Sequence, residues 1–339
     1  MVNNPSRVLF LFTLIFGSLI SITSTSWLGA WAGLEINLLS FIPLMTDQET
    51  RFSSEAALKY FLTQALASAI LLLGALLLLQ LTHLHFTPPS GLSYIMLSSL
   101  FLKMGAAPFH FWFPGVMEGL HWLNGLILMT WQKIAPLLLA SYLLNFNLFV
   151  LLIIISSAMA GALGGFNQTS LRKIMAFSSI NHLGWMLSAL LLGGVYWIMY
   201  FSFYVLLSAS VVLVFHAHSV SHLNQIFLIP FPNQILKLAL FCNFLSLGGL
   251  PPFLGFLPKW LILQSLALNG LILISSVLIM FSLVTLYFYL RMGYSAFLVT
   301  HSEPKWLSLS PPQPLNYITH TLSATSTFGL LVCSCFMIG

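Results

Sequence analysis

Charge is what this sequence has least of. Only 5% of its 339 residues are Asp, Glu, Lys or Arg, against 59% hydrophobic ones. Too few ionic groups are present to hydrate the surface of a soluble protein of this size, so the chain belongs in a membrane. Cysteine is as scarce: Cys242, Cys333 and Cys335 form no disulfide framework, and Cys-Ser-Cys lacks the spacing of a zinc or iron–sulfur site, so all three read as buried, inert thiols. Glycine-rich phosphate loops, nucleophile elbows and the GxGxxG fingerprint are missing, so no nucleotide or redox cofactor is expected to bind here. A formal charge of +5 comes from scattered residues with no basic, aromatic-interleaved face, which excludes nucleic acid as a partner. His216, His218 and His222 cluster without a carboxylate or cysteine, so they are not read as a metal site, and no haem pair is evident.

What the chain does have is long apolar runs. Bounded by Pro, Gly, Asn and charge, they predict about eleven membrane helices near 8–25, 27–45, 55–81, 92–119, 121–144, 148–166, 170–193, 195–220, 235–268, 270–298 and 320–338. Arg7 precedes the first run in the manner of a signal peptide, but the run is long enough to span and is expected to remain as the first helix. Alternating the connections between two sides puts Arg7, Arg51, Lys59, Arg172, Lys173, Lys237, Arg291 and Lys305 on the side of the N-terminus. By the positive-inside rule that side is cytoplasm or mitochondrial matrix, and the C-terminus lies opposite.

Two stretches echo each other. Leu102–Pro114 and Leu247–Lys259 share the pattern Gly, two residues, Pro, Phe, four residues, Pro. Proline removes an N–H and collides with the carbonyl four residues back, so each copy should break its helix. The carbonyls expected to be freed are those of Met104 and His110 in the first copy, and of Leu247, Gly248 and Leu254 in the second. Hydrocarbon tolerates such groups only where protein buries them or water reaches them, and paired broken helices point to an ion path.

Four charged residues fall near the middle of their spans: Glu35, Lys103, Lys133 and Lys259. Facing lipid unpaired, they would cost about 10–14 kcal/mol together on the insertion scale, and a lysine stem is too short to reach water from the midplane. They are therefore expected to face protein, as proton carriers or structural ion pairs. Glu35 and Lys103 are the natural pair. Lys133, in T-W-Q-K-I-A-P, should sit beside a kink at Pro136 that frees the carbonyl of Gln132. His110 follows Lys103 by seven residues, and His182 occupies the centre of the seventh span, so both are candidate relays or satisfied core histidines.

These residues resemble the chain 2 family of NADH:ubiquinone oxidoreductase, respiratory complex I, in its mitochondrially encoded, arthropod-like form. The resemblance covers nearly the whole chain. It is carried by W-L-G-A-W-A-G-L-E-I-N-L-L-S-F-I-P-L from Trp27, K-M-G-A-A-P-F-H-F-W-F-P from Lys103, T-W-Q-K-I-A-P from Thr130, N-Q-T-S-L-R-K-I-M-A-F-S-S-I-N-H-L-G-W from Asn167 and N-F-L-S-L-G-G-L-P-P-F-L-G-F-L-P-K-W from Asn243. Only the connections near Thr82–Ser90 and Ser302–Tyr317 are undistinctive. The resemblance implies an all-α, polytopic, antiporter-like fold of two inverted five-helix repeats with two broken helices. On that plan, 1–146 is the first repeat, broken near 102–114; 147–299 is the second, broken near 247–259; and 300–339 is a loop with a C-terminal membrane helix.

The family's roles map onto Glu35, Lys103, Lys133 and Lys259 as proton-transfer residues, and onto His110 and His182 as relays. It also implies a proton-translocating subunit of the mitochondrial inner membrane, partnered by other membrane-arm subunits and lipid, with NADH and ubiquinone bound elsewhere and no cofactor or metal of its own. Two other readings stay open. A free-standing cation/proton antiporter would work when purified alone, and a structural spacer would keep full pumping after Lys133→Met.

Overall fold

The computed structural model describes residues 5–46, 51–83, 90–223, 225, 234–298 and 321–330. Those residues are almost entirely helical. The helices are α1 (Pro5–Thr23), α2 (Trp27–Met45), α3 (Arg51–His83), α4 (Ser90–Met104), α5 (Trp112–Gly119), α6 (Trp122–Met129), α7 (Trp131–Ser141), α8 (Leu148–Gly165), α9 (Leu171–Leu192), α10 (Gly194–His218), α11 (Gln234–Gly248), α12 (Phe256–Leu268) and α13 (Ile272–Leu298). Residues 321–330 are helical too.

Among the described residues, eight spans are long and apolar enough to cross a membrane, α6 and α7 together making one of them. Shorter apolar helices form the two broken spans, α4 with α5 and α11 with α12. The chain is thus an all-α, multi-pass membrane protein of the expected helix order. Of the last expected span, 320–338, only 321–330 lies within the described residues, and most of the two undistinctive connections, with Lys237's side chain and Lys305, lies outside them.

The helices cluster into two units, Met1–Ser157 and Ala158–Gly339, the division falling inside α8. In the first unit α2 packs on α1 and α3, α3 on α4 and α5, and α7 on α1, α4 and α6. The α1–α2 contact is built on glycine. A Cβ on Gly33 would stand 2.5 Å from Ser21 N and 2.8 Å from Gly17 O, and one on Gly17 would stand 2.8 Å from Asn37 N. Small residues allow this backbone approach, which is how helices associate where lipid removes the hydrophobic drive. Gly33→Val is expected to part the two helices and lower stability by about 1–3 kcal/mol or more, because backbone atoms cannot swing aside. Thermal unfolding of the purified assembly would read this as a lowered midpoint.

In the second unit α9 is the enclosed element. Of its spanning window 89% is buried, against 22% for α1, so α9 contacts protein on nearly all sides while α1 shows Leu9, Phe12 and Phe16 outward, as lipid-facing residues should be. Helices α10, α12 and α13 pack on α9, and α11 packs on α10 and α13.

Candidate functional site

Each proline-rich copy is a stop, a turn and a start. Gly105 (φ 74°) and Gly249 (φ 82°) take the left-handed conformation just past the ends of α4 and α11. Ala106 N donates to Phe101 O and Gly105 N to Leu102 O, while Leu250 N donates to Leu245 O and Gly249 N to Ser246 O. That is the Schellman ending, for which glycine is favoured because it has no Cβ to clash. The second prolines, Pro114 and Pro258, are the third residues of α5 and α12. There the missing N–H would have had no partner anyway, so these prolines begin helices instead of breaking them. His110 O and Leu254 O are accordingly not freed: Phe113 N and Leu257 N close on them in tight turns.

The two copies satisfy their remaining carbonyls differently. At the end of α4 neutral side chains do it, Trp112 Nε1 donating to Leu102 O (3.1 Å) and Gln64 Nε2 to Lys103 O (3.2 Å). At the end of α11 a cation does it. Lys259 Nζ donates to Gly248 O (2.8 Å) and Leu247 O (3.4 Å), the two acceptors that Pro251 and Pro252 set free. The ammonium meets the negative pole of α11, a favourable placement for a cation. It also lies 5.7 Å from the centroid of the Trp185 ring.

Of the lysines and arginines whose side chains are described, only Lys103, Lys133 and Lys259 are buried, at 7%, 1% and 6% exposure. In the first unit Lys103 and Lys133 border one cavity with Asn37, Tyr60, Gln64, Trp112, Phe113 and Gln132. It gives the centres of water molecules about 20 Å³, and roughly 10–15 Å³ admits one water. Lys133 Nζ stands 5.1 Å from the Phe113 ring centroid, and Gln132 Nε2 donates to Asn37 Oδ1 at 2.9 Å. Glu35 is half-buried outside this lining, and its charge acts on both Lys103 and Tyr60. The helix interruption near Lys133 comes at Thr130, whose hydroxyl donates to Leu126 O (2.7 Å), while Pro136 lies within α7. The interruption thus falls upstream of the kink expected at Pro136, and Leu126 O keeps its backbone donor there, Thr130 N at 3.0 Å, beside the hydroxyl.

The histidines part company. His182 is buried on α9, its Nδ1 2.8 Å from the Tyr200 hydroxyl, in the same unit as Lys259. His110 is half-buried in the turn between α4 and α5, stacked on Phe111, and is not among the residues lining the lysine cavity. Seven residues mean one face only along an unbroken helix, and the break resets the phase.

Sequence reasoning passed over Tyr60 and Gln64, although their i, i+4 spacing in an apolar run was a usable signal. It also passed over Asn37, Gln132 and Tyr200. Asn243 could not have been found that way: it accepts from Ser326 Oγ, 83 residues on, while Ser326 O receives Leu254 N, so residues 321–330 close over the second break.

A multi-pass helical protein with two interrupted spans and buried lysines beside them belongs to the antiporter-like class. Residues 24–286 match the model of the family described as NADH:quinone oxidoreductase/Mrp antiporter, TM, and the chain belongs to that family. It is similar to NADH-ubiquinone oxidoreductase chain 2 of Anopheles gambiae, with 55% identity over 89% of each chain. The same chain of Locusta migratoria is 43% identical over 100% of this chain and 99% of its own length. Among solved structures, a chain of respiratory complex I from Thermus thermophilus superposes with a TM-score of 0.84 at 27% identity, covering 98% of this chain and 80% of that one.

Proposed function

We propose that this chain is a proton-translocating subunit in the membrane arm of a respiratory NADH:ubiquinone oxidoreductase, residing in the mitochondrial inner membrane. NADH oxidation and ubiquinone reduction take place in other subunits. This chain offers protons a way through the apolar layer, using Glu35, Lys103, Lys133 and Lys259, with His110 and His182 as relays. The observation that carries the reading is the burial of three lysines beside helix interruptions, with two of them on one cavity of water size. Burying a cation in oil is costly, and groups kept there against that cost are the ones that take up and release ions.

Coupling to neighbouring subunits is electrostatic. Two charges about 10 Å apart at an effective dielectric near 20 interact by roughly 1.7 kcal/mol, enough to change which protonation state prevails. The N-terminus faces the matrix and the C-terminus the intermembrane space, on the strength of Arg7, Arg51, Lys59, Arg172, Lys173 and Arg291, none of which is buried. Other membrane-arm subunits and lipid are the partners.

The decisive test is Lys133→Met in the native assembly. Methionine matches the stem in length and leaves no charge to hold. The assembly is expected to form and oxidise NADH while proton translocation falls to background; undiminished pumping would leave only a structural spacer.

A further inference from the structure

The second unit holds more proton-handling groups than His182 and Lys259. Tyr200 and Tyr204 stand one turn apart on α10, and Tyr289 comes from α13. All three are buried, at 2%, 3% and 1% exposure, so each hydroxyl needs a reason to be there. Tyr200 reaches His182 Nδ1 at 2.8 Å. The Tyr204 ring lies 5.2 Å from the His182 ring, and its hydroxyl faces Ser179 on α9. Tyr289 faces Ser178, also on α9, yet its hydroxyl closes no hydrogen bond of ordinary geometry among the described residues. Trp185 Nε1, one turn beyond His182, is likewise buried and unsatisfied there, and its ring stacks on Tyr200 and under the Lys259 ammonium.

We propose that Tyr200, Tyr204 and Tyr289 form, with His182, a hydroxyl relay for protons in the second unit, an inference that rests on the proton-translocation reading above. The chemistry needs no ionised tyrosine. A phenolic oxygen accepts a proton on a lone pair as its own O–H proton moves to the next acceptor, so the group ends neutral. Tyr200 passes its proton to His182 Nδ1, and the ring releases the Nε2 proton to a water molecule, leaving a neutral imidazole of the other tautomer. Rotation of the hydroxyls and return of the tautomer reset the line. A buried structural network would satisfy all its members, since unpaired hydroxyls are costly in a low-dielectric interior. A Tyr289 hydroxyl and a Trp185 N–H left open between three helices are the partners through which mobile water joins such a line.

Tyr289→Phe tests this, because it keeps the ring against Phe244 and Phe288 and deletes a hydroxyl on which no ordinary hydrogen bond depends. In the intact assembly the variant is expected to assemble fully and oxidise NADH, with proton translocation slowed on the order of 100-fold, the low end for a positioned proton-transfer group. Tyr200→Phe is expected to slow translocation likewise and to shift its pH profile, since His182 Nδ1 loses its partner. Tyr196→Phe, a half-exposed tyrosine outside the cluster, is expected to change nothing. Unaltered protons per NADH in assembled Tyr289→Phe would overturn the relay. So would failure of that variant to assemble, because the hydroxyl would then be structural. Lys133→Met separates the two levels: if it abolishes pumping while Tyr289→Phe leaves it intact, the relay fails and the proton-translocation reading stands.

Discussion

Lys259→Met is expected to cost both assembly and transport. The ammonium is the donor for Gly248 O and Leu247 O, so its removal leaves two buried carbonyls without a partner. Each such orphan costs about 1–3 kcal/mol, and water cannot make up the loss in hydrocarbon, which gives roughly 2–6 kcal/mol for the pair. That is a large fraction of a protein's net stability, and the amount of assembled complex should fall steeply. Lys259→Arg divides the two roles. A guanidinium still donates to carbonyls but is never deprotonated. Assembly is therefore expected to recover while proton translocation does not. An arginine variant that pumped normally would show Lys259 to be a fixed clamp and remove it from the proton path.

The second large effect is expected at Gly249. An alanine there pays twice, once for a left-handed backbone at φ 82° and again because its Cβ would lie 2.8 Å from Lys259 Cδ and 3.1 Å from Nζ. The backbone component is about 1–2 kcal/mol. Gly270 isolates it, since that residue has φ 74° and nothing within 4 Å of an added Cβ. Gly270→Ala is expected to lower stability by the backbone amount and leave pumping unchanged. Gly249→Ala should lower it further and also depress translocation, because the lysine is pushed off the carbonyls. Equal effects of the two substitutions on protons moved per NADH oxidised would show that the place of Lys259 does not matter. Gly105→Ala should fall between them, the nearest atoms to its Cβ being those of the Phe113 side chain, 3.2 Å away at Cβ.

The division between what could be read along the chain and what could not follows from how helices encode information. Apolar length and punctuation marked out the spans, because a helix that satisfies its own backbone can cross oil wherever about 20 apolar residues run together. The two Gly-x-x-Pro-Phe copies announced the breaks, since φ above zero and a missing N–H are local properties of glycine and proline. The four charges within apolar runs stood out for the same reason: an ionic residue deep in such a run is visible in the sequence without knowing its neighbours.

Partnership was not legible. Lys103 ends the first half of one broken span and Lys259 begins the second half of the other, and nothing in their spacing says that Lys259 turns back to carbonyls eleven and twelve residues earlier. Nor does periodicity tell which of many buried serines and tyrosines meet across helices, as Tyr200 meets His182. By itself the sequence determined that charge would be held among apolar helices and where the two Gly-x-x-Pro-Phe breaks would fall, but not the interruption at Thr130. Only the tertiary structure decided which carbonyl, ring or cavity each buried charge would face, because side-chain phase carries along a continuous helix, is lost at every break, and never names the neighbour on the other side.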